Sequence, residues 1–240
     1  MIIPEVVKKI LRSEKWLRMV IPFKFSVAKL KWAANRCSNI EDYVNLAFNA
    51  YTSLPFLSAS IRPAQVREEI TELLKILAKR RPRFIMEIGT AGGGTLFLFT
   101  RAAASDATLI SVDLPTGYSE LKIPYYESFA SHDQRIYLLR MDSHRETTLH
   151  GINRILGGHK LDFLFIDGDH TYEGVRKDFE MYSRLLNPDS IIAFHDIVPG
   201  PPEDVGGVPK FWKKIKYNFS YIELVKNWKQ EGYGIGVIYV

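Results

Sequence analysis

The sequence predicts an α/β domain: a mostly parallel, seven-stranded sheet wrapped by helices, with an antiparallel C-terminal hairpin and an N-terminal helical extension. Three observations carry this. Five short apolar runs alternate with helical stretches between residues 83 and 196, the pattern of buried parallel strands joined by helical crossovers. Two further apolar runs near the C-terminus are separated only by a turn-like segment, too short for a crossover, so they pair antiparallel. The length of 240 residues suits one large domain with a small extension.

The elements follow in order. Residues 1–36 hold nine Lys and Arg against Glu5 and Glu14, a net charge of +7, which leaves the remaining 204 residues at −2. A near-neutral body argues against a nucleic-acid footprint. The bases interleave with Trp16, Leu17, Val20, Ile21, Phe23, Phe25, Leu30 and Trp32, and Pro4 and Pro22 divide the arm into short amphipathic helices. Such an arm either packs on the body or meets an acidic membrane surface or a lipid-linked substrate. A second amphipathic stretch runs from Ile40 to Thr52, and "SLPFLSASIRP" (53–63) reads as a linker. Residues 1–60 are thus the basic extension and 61–240 the main domain.

From Ala64, apolar residues at Val66, Ile70, Leu73, Leu74 and Leu77 have helical spacing. Strands then follow at 83–89, 107–113, 135–141, 161–167 and 190–196, with helices near 94–104, 119–132, 143–156 and 171–186. The closing hairpin uses 219–225 and 233–240. The single cysteine, Cys37, excludes an internal disulfide and fits a reducing compartment. No apolar run reaches the roughly 18 residues of a membrane span, and no signal-peptide pattern begins the chain. A cytoplasmic protein is expected, with membrane association through residues 1–36 and a homo-oligomer both compatible.

The first strand ends in "EIGTAGGGT" (87–95), a glycine-rich turn leading into a helix. Such a turn brings backbone amides close to a ligand. Read as Gly89-x-Ala91-x-x-Gly94, it approaches a dinucleotide fingerprint, a weak signal alone. Glu87 tilts it away from a pyrophosphate and toward a sulfonium ligand bearing an ammonium group. Asp113 ends the second strand, placed for ribose hydroxyls, and Asp142 with Ser143 end the third, placed for an adenine edge. Each also has a purely structural reading, as turn former or helix cap. Asp167 and Asp196 end the fourth and fifth strands. In a parallel sheet these ends face one crevice, and two carboxylates there suit Mg²⁺ or Mn²⁺.

"EIGTAGGGT", "ISVDLP" and "FIDGDHTYEGVRKDFEMYSRLLNPDSIIAFHDI", with "GGVPKFWKKIK" (206–216) and the final "GYGIGVIYV", resemble class I S-adenosylmethionine-dependent methyltransferases with a Rossmann-like fold. The resemblance covers roughly 62–240. It is narrowest to the branch of cephalosporin-hydroxylase-like proteins and metal-dependent sugar O-methyltransferases. It implies S-adenosylmethionine contacts at Glu87, Gly89, Thr90, Gly94, Thr95, Asp113, Leu114, Asp142, Ser143 and Asp169. It implies metal ligands at Asp167, His195 and Asp196, with Asp167 and His170 catalytic and His170 the base. Two departures stand out. Gly94 occupies a position that is usually serine, and relatives often carry an acid where this chain has His195. Strand alternation also turns His195 and Asp196 to opposite faces unless the strand has already ended.

The expected reaction is methyl transfer to a hydroxyl of a small molecule or glycan. Loops 114–129, with Tyr118, Tyr125 and Tyr126, and 199–212, with Trp212, either cover the acceptor or pack. Two rivals are a hydroxylase with iron held by His170, His195 and one Asp, and a cofactor-binding scaffold recruited through its basic arm.

Overall fold

The computed structural model describes residues 25, 28–49, 51–54, 57–60 and 62–240, with residues 51–54 and 57–60 described by their backbone. Most of the basic arm, including Trp16, Leu17, Val20, Ile21 and Phe23, lies outside the described residues. Among the described residues, helix α1 covers 28–34, followed by α2 (Ile40–Phe48). The stretch read as a linker instead contains an antiparallel pair, β1 (Tyr51–Leu54) and β2 (Leu57–Ser60), with Tyr51 opposite Ser60. Leu57-Ser58-Ala59-Ser60 alternates with the period of a strand, which its small polar residues disguise as linker composition.

The main domain continues through α3 (Arg67–Arg80), β3 (Phe84–Ile88), α4 (Gly94–Ala102), β4 (Thr108–Asp113), α5 (Ile123–Glu127), β5 (Arg135–Arg140) and α6 (Glu146–Leu156). Then come β6 (Leu161–Ile166), α7 (Tyr172–Tyr182), β7 (Leu186–His195), α8 (Pro202–Val205), α9 (Val208–Ile215), β8 (Ser220–Leu224) and β9 (Ile235–Tyr239). The seven-stranded sheet has the order β5-β4-β3-β6-β7-β9-β8. Five strands are parallel, and β9 enters antiparallel between β7 and β8. The helix expected over 119–132 shrinks to the five residues of α5, which carries Pro124 near its start, where a missing N–H is tolerated.

Alternation along the strands fills both faces of the sheet. Phe163 and Phe165 join one apolar cluster, which also takes Leu73 and Leu77 of α3 and Phe97 and Phe99 of α4. Leu164 and Ile166 join the other, against Ile152 of α6, Val175 of α7 and Phe211 of α9. Leu30, Ala34, Val44, Ala47 and Phe48 belong to the first cluster. The described part of the extension therefore packs on the body with its apolar side, while Trp32 stays 62% exposed. No helix among the described residues is long and apolar enough to cross a membrane.

Candidate active site

Leaving β3, the chain turns at Gly89, where φ is +99° and an added Cβ would stand 2.0 Å from the Asp167 carbonyl oxygen. This turn needs glycine for both its left-handed backbone and its contact with the end of β6. The amides of Thr90 and Ala91 donate to Asp113 Oδ2 at 3.0 and 2.9 Å, and the Leu114 amide donates to Asp113 Oδ1 at 2.7 Å. The carboxylate at the end of β4 thus ties the glycine turn to its own strand.

Beside it lies a cavity of about 640 Å³ along the carboxyl ends of β3–β6. Of the expected cofactor residues, Gly89, Asp113, Leu114, Asp142, Ser143 and Asp169 line it, as do Asp167 and His170. Glu87, Thr90, Gly94 and Thr95 are buried and are not part of this lining. Ser111 Oγ donates to Glu87 Oε1 at 2.6 Å and lies 2.6 Å from the Thr90 hydroxyl. Sequence reasoning missed Ala91, Met141 and His144 in the wall. Ala91 lies within the glycine-rich turn itself, and Met141 and His144 adjoin residues that were identified, an adjacency that is their only sequence signal. His144 Nε2 lies 3.2 Å from a carboxylate oxygen of the buried Asp178, which burial pushes up to about 6.

Burial also pushes Glu87 up to about 8, with the charges of Asp167 and Asp113 adding to the shift and the Ser111 and Thr95 hydroxyls opposing it. An acid raised above its unfolded value loses stability as the unfolded chain ionises, from about pH 4.5 to about pH 8. Glu87→Gln is therefore expected to be nearly neutral near pH 5. It should gain about 1–3 kcal/mol on the wild type by about pH 8, read from melting temperature against pH. A constant difference across that range would contradict the assignment.

The acidic residues converge next to this cavity. The strand β7 ends at His195, and Asp196 adopts φ +60°, a left-handed conformation that Asp tolerates better than most residues. That twist breaks the alternation, so His195 Nδ1 lies 3.0 Å from Asp167 Oδ1 and 3.3 Å from Asp196 Oδ2. The Tyr233 amide, from the loop before β9, donates to Asp196 Oδ1 at 3.1 Å. His170 stands between the same acids, 3.5 Å from each. Thr171 caps α7 by accepting from the Gly174 amide at 2.9 Å.

Among the described residues, the group whose ligand atoms lie within 4.8 Å of one another is Asp167, His170 and Asp196. His170, expected as base, thus sits beside both carboxylates. His195 lies deeper, 4% exposed, with its Nε2 buried and unpartnered among the described residues. A further member was not visible in the sequence: Gln65 Nε2 donates to Asp167 Oδ2 at 2.7 Å across 102 positions.

The charges follow from this geometry. Burial would raise Asp167, but His195 and His170 outweigh it and hold the acid at about 2. His170 is raised to about 9 by its bond with Asp167, against burial and with help from the Asp204 carbonyl. Burial opposes the charged form of His195, yet Asp167 and Asp196 raise it to about 10. A second cavity of about 480 Å³ opens on this cluster and shares Asp167 and His170 with the first. Tyr118, Tyr126 and Trp212 are buried packing residues: the Tyr126 hydroxyl donates to the Ala91 carbonyl at 3.0 Å, and Trp212 Nε1 donates to Glu223 at 2.6 Å.

Residues 86–197 match the sequence family described as a methyltransferase domain. An uncharacterized protein of Sinorhizobium fredii, y4gI, is 30% identical over 155 residues, which is 59% of this chain and 16% of that protein. An uncharacterized protein of Acanthamoeba polyphaga mimivirus, R132, is 31% identical over 113 residues, 46% of this chain and 50% of that one. The chain therefore spans half or less of the length of these relatives. The crystal structure of the O-methyltransferase TomG from Streptomyces achromogenes, in complex with S-adenosylmethionine, superposes with a TM-score of 0.56. Identity to it is 17%, over 85% of this chain and 90% of that one, a likeness of fold. The domain match, the strand order and the glycine turn at the carboxyl end of β3 agree: residues 86–197 are similar to a methyltransferase domain, set on a fold like that of this solved O-methyltransferase.

Proposed function

We propose that the protein transfers the methyl group of S-adenosylmethionine to a hydroxyl of a small molecule or sugar, assisted by a divalent cation such as Mg²⁺ or Mn²⁺. One observation carries this reading: the cavity beside the glycine turn and the acidic cavity meet at Asp167 and His170. A donor in the first and an acceptor in the second would face each other across those side chains, as in-line transfer requires. TomG, described as an O-methyltransferase in complex with S-adenosylmethionine, supports the oxygen acceptor by analogy of fold. Bound S-adenosylmethionine supplies a methyl carbon activated by its sulfonium.

The donor set fits a cation. Asp167 and Asp196 offer carboxylate oxygens, donors that suit Mg²⁺ or Mn²⁺, and His170 stands 3.5 Å from each acid. A cation held there would lower the pKa of the acceptor hydroxyl. The Asp204 carbonyl accepts from His170 Nδ1 at 2.5 Å, which keeps the proton on that nitrogen and turns Nε2 toward Asp167, 3.5 Å away. With its value raised to about 9, His170 carries a second proton at neutral pH and cannot then act as a base. It becomes one where another positive charge offsets the two carboxylates. Nε2 then takes the hydroxyl proton as the C–O bond forms and the C–S bond breaks.

The reaction is tested by turnover of labelled S-adenosylmethionine with a panel of hydroxylated acceptors, with and without Mg²⁺ or Mn²⁺. Absence of turnover on every oxygen acceptor, with transfer to nitrogen or carbon acceptors, would replace this reading. Cation uptake has its own signature. Because a cation held by Asp167 and Asp196 would drive the second proton off His170, Mn²⁺ binding should release about one proton near pH 7 and tighten by up to about tenfold per pH unit below about pH 9. Calorimetry in buffers of different ionisation enthalpy measures that release, and buffer-independent heats would place the ion elsewhere.

A further inference from the structure

A third cavity, about 640 Å³, adjoins the acidic one on the side away from the glycine turn, with Ala64 and Tyr233 lining both. Its walls have the opposite character. Among the described residues, Arg62, Arg67 and Lys226 line it, with Glu68 the one acid. The guanidinium groups of Arg62 and Arg67 lie 5.3 and 4.6 Å from the centre of the same ring, Phe48. Arg67 also donates to Asn45 Oδ1, and its planar fork carries further N–H donors that suit an anion beside Lys226. Lys226 pairs with Glu68 at 2.7 Å, and its amide donates to the buried Glu69 at 3.0 Å. Glu69 also accepts from Gln230 Nε2 at 2.7 Å and from the Gly234 amide at 2.9 Å. The loop that presents Lys226 is thus anchored to α3.

A second, independent observation points to a ligand. Gln65 lines this cavity and is 5% exposed. A carboxylate can only accept, so the bond to Asp167 fixes the amide nitrogen on that side. The other end, Oε1, is buried without a partner among the described residues. An unpaired buried acceptor costs about 1–3 kcal/mol, a penalty that a hydroxyl or amine of a bound molecule would remove.

We infer that this cavity seats an anionic group of the methyl acceptor, making the acceptor an anionic polyol such as a sugar phosphate. The anion rests on Arg67 and Lys226, and a neighbouring hydroxyl donates to Gln65 Oε1. From that seat the molecule extends past Ala64 and Tyr233 to the Asp167–His170 cluster. The inference rests on the proposed reaction for the identity of its ligand, but binding tests it separately.

The test is calorimetry on the full chain loaded with S-adenosylhomocysteine, with glucose 1-phosphate, glucose and inorganic phosphate as probes. Glucose 1-phosphate is expected to bind at least about tenfold tighter than glucose, and to weaken as salt rises. Lys226→Gln and Arg67→Gln should each lose about fivefold or more of that affinity, with S-adenosylhomocysteine affinity unchanged as evidence of folding. Gln65→Leu should weaken glucose 1-phosphate but not inorganic phosphate. A parallel arm replaces the free sugar phosphate with phosphatidylcholine vesicles carrying a polyisoprenyl phosphate. Tighter binding in either arm that Arg67→Gln or Lys226→Gln weakens supports the seat and identifies its source. Vesicle binding that both variants keep belongs to the basic arm and counts against it. Equal affinity for glucose and glucose 1-phosphate, with no vesicle binding, overturns it, as does phosphate affinity that neither cation variant alters. Turnover confined to neutral acceptors would remove the seat and leave the reaction standing. Sugar-phosphate binding without turnover on any acceptor would do the reverse.

Discussion

Asp167→Ala is expected to lower kcat/KM for methyl transfer by about two to three orders of magnitude. Asp167 touches every part of the cluster: His195 Nδ1 at 3.0 Å, His170 Nε2 at 3.5 Å and Gln65 Nε2 at 2.7 Å. Its loss removes a ligand, releases the ring that would take the proton and frees the amide facing the acceptor. Binding of S-adenosylhomocysteine should change far less, because the Asp113-tied glycine turn is intact. Retention of full activity would refute the assigned role.

The same substitution has a stability signature. It strands the buried His195 without its nearest acid, at an expected cost of about 3 kcal/mol without added metal. The signs set the pH window. The low value of Asp167 contributes stability that is present above about pH 4 and lost as pH falls toward about 2. The raised values of His170 and His195 contribute stability that is present below about pH 6.5 and lost as pH rises through about 9 and 10. The wild-type advantage should therefore be widest between about pH 4 and about pH 6.5 and narrow in alkali, as chemical denaturation at several pH values would measure. An advantage that grows above about pH 9 would contradict the ion-pair account.

Gly89→Ala carries the second large effect. A methyl at this position would overlap the Asp167 carbonyl oxygen at 2.0 Å, on a backbone at φ +99°. The left-handed strain and the clash together should destabilise by about 2–4 kcal/mol, read as a lower melting temperature. Because the displaced atom belongs to Asp167 itself, cofactor and cation affinities should both fall. Loss of only one would mean that the turn and the cluster are not mechanically joined. By contrast, an added Cβ at Gly151 meets nothing within 4 Å, so Gly151→Ala serves as a helix-interior control.

The fold was largely legible because its signals are local. Apolar runs such as "LDFLFID" record burial on both faces, and the short span before "YGIGVIYV" forbids a crossover. What the sequence left open or missed was local as well. The β1–β2 pair hid in linker-like composition, and of the two roles open to the aromatics Tyr118, Tyr126 and Trp212, packing is the one their burial favours.

By itself the sequence determined the doubly wrapped sheet, the glycine turn after β3 and the strand-end acids Asp113, Asp167 and Asp196, since each depends on residue type and on position within one element. Only the tertiary structure decided which groups meet. Gln65 reaches Asp167 because α3 packs beside the sheet ends. His195 and Asp196 face the same carboxylate because one left-handed residue ends β7. Glu87 lies beneath the turn, among Ser111 and Thr90. The Phe48 ring precedes β1 while Arg62 and Arg67 follow β2, with Lys226 contributed from the far end of the chain. Strand periodicity is set by neighbours two positions apart. A charge cluster is set by distances through space that no spacing along the chain encodes.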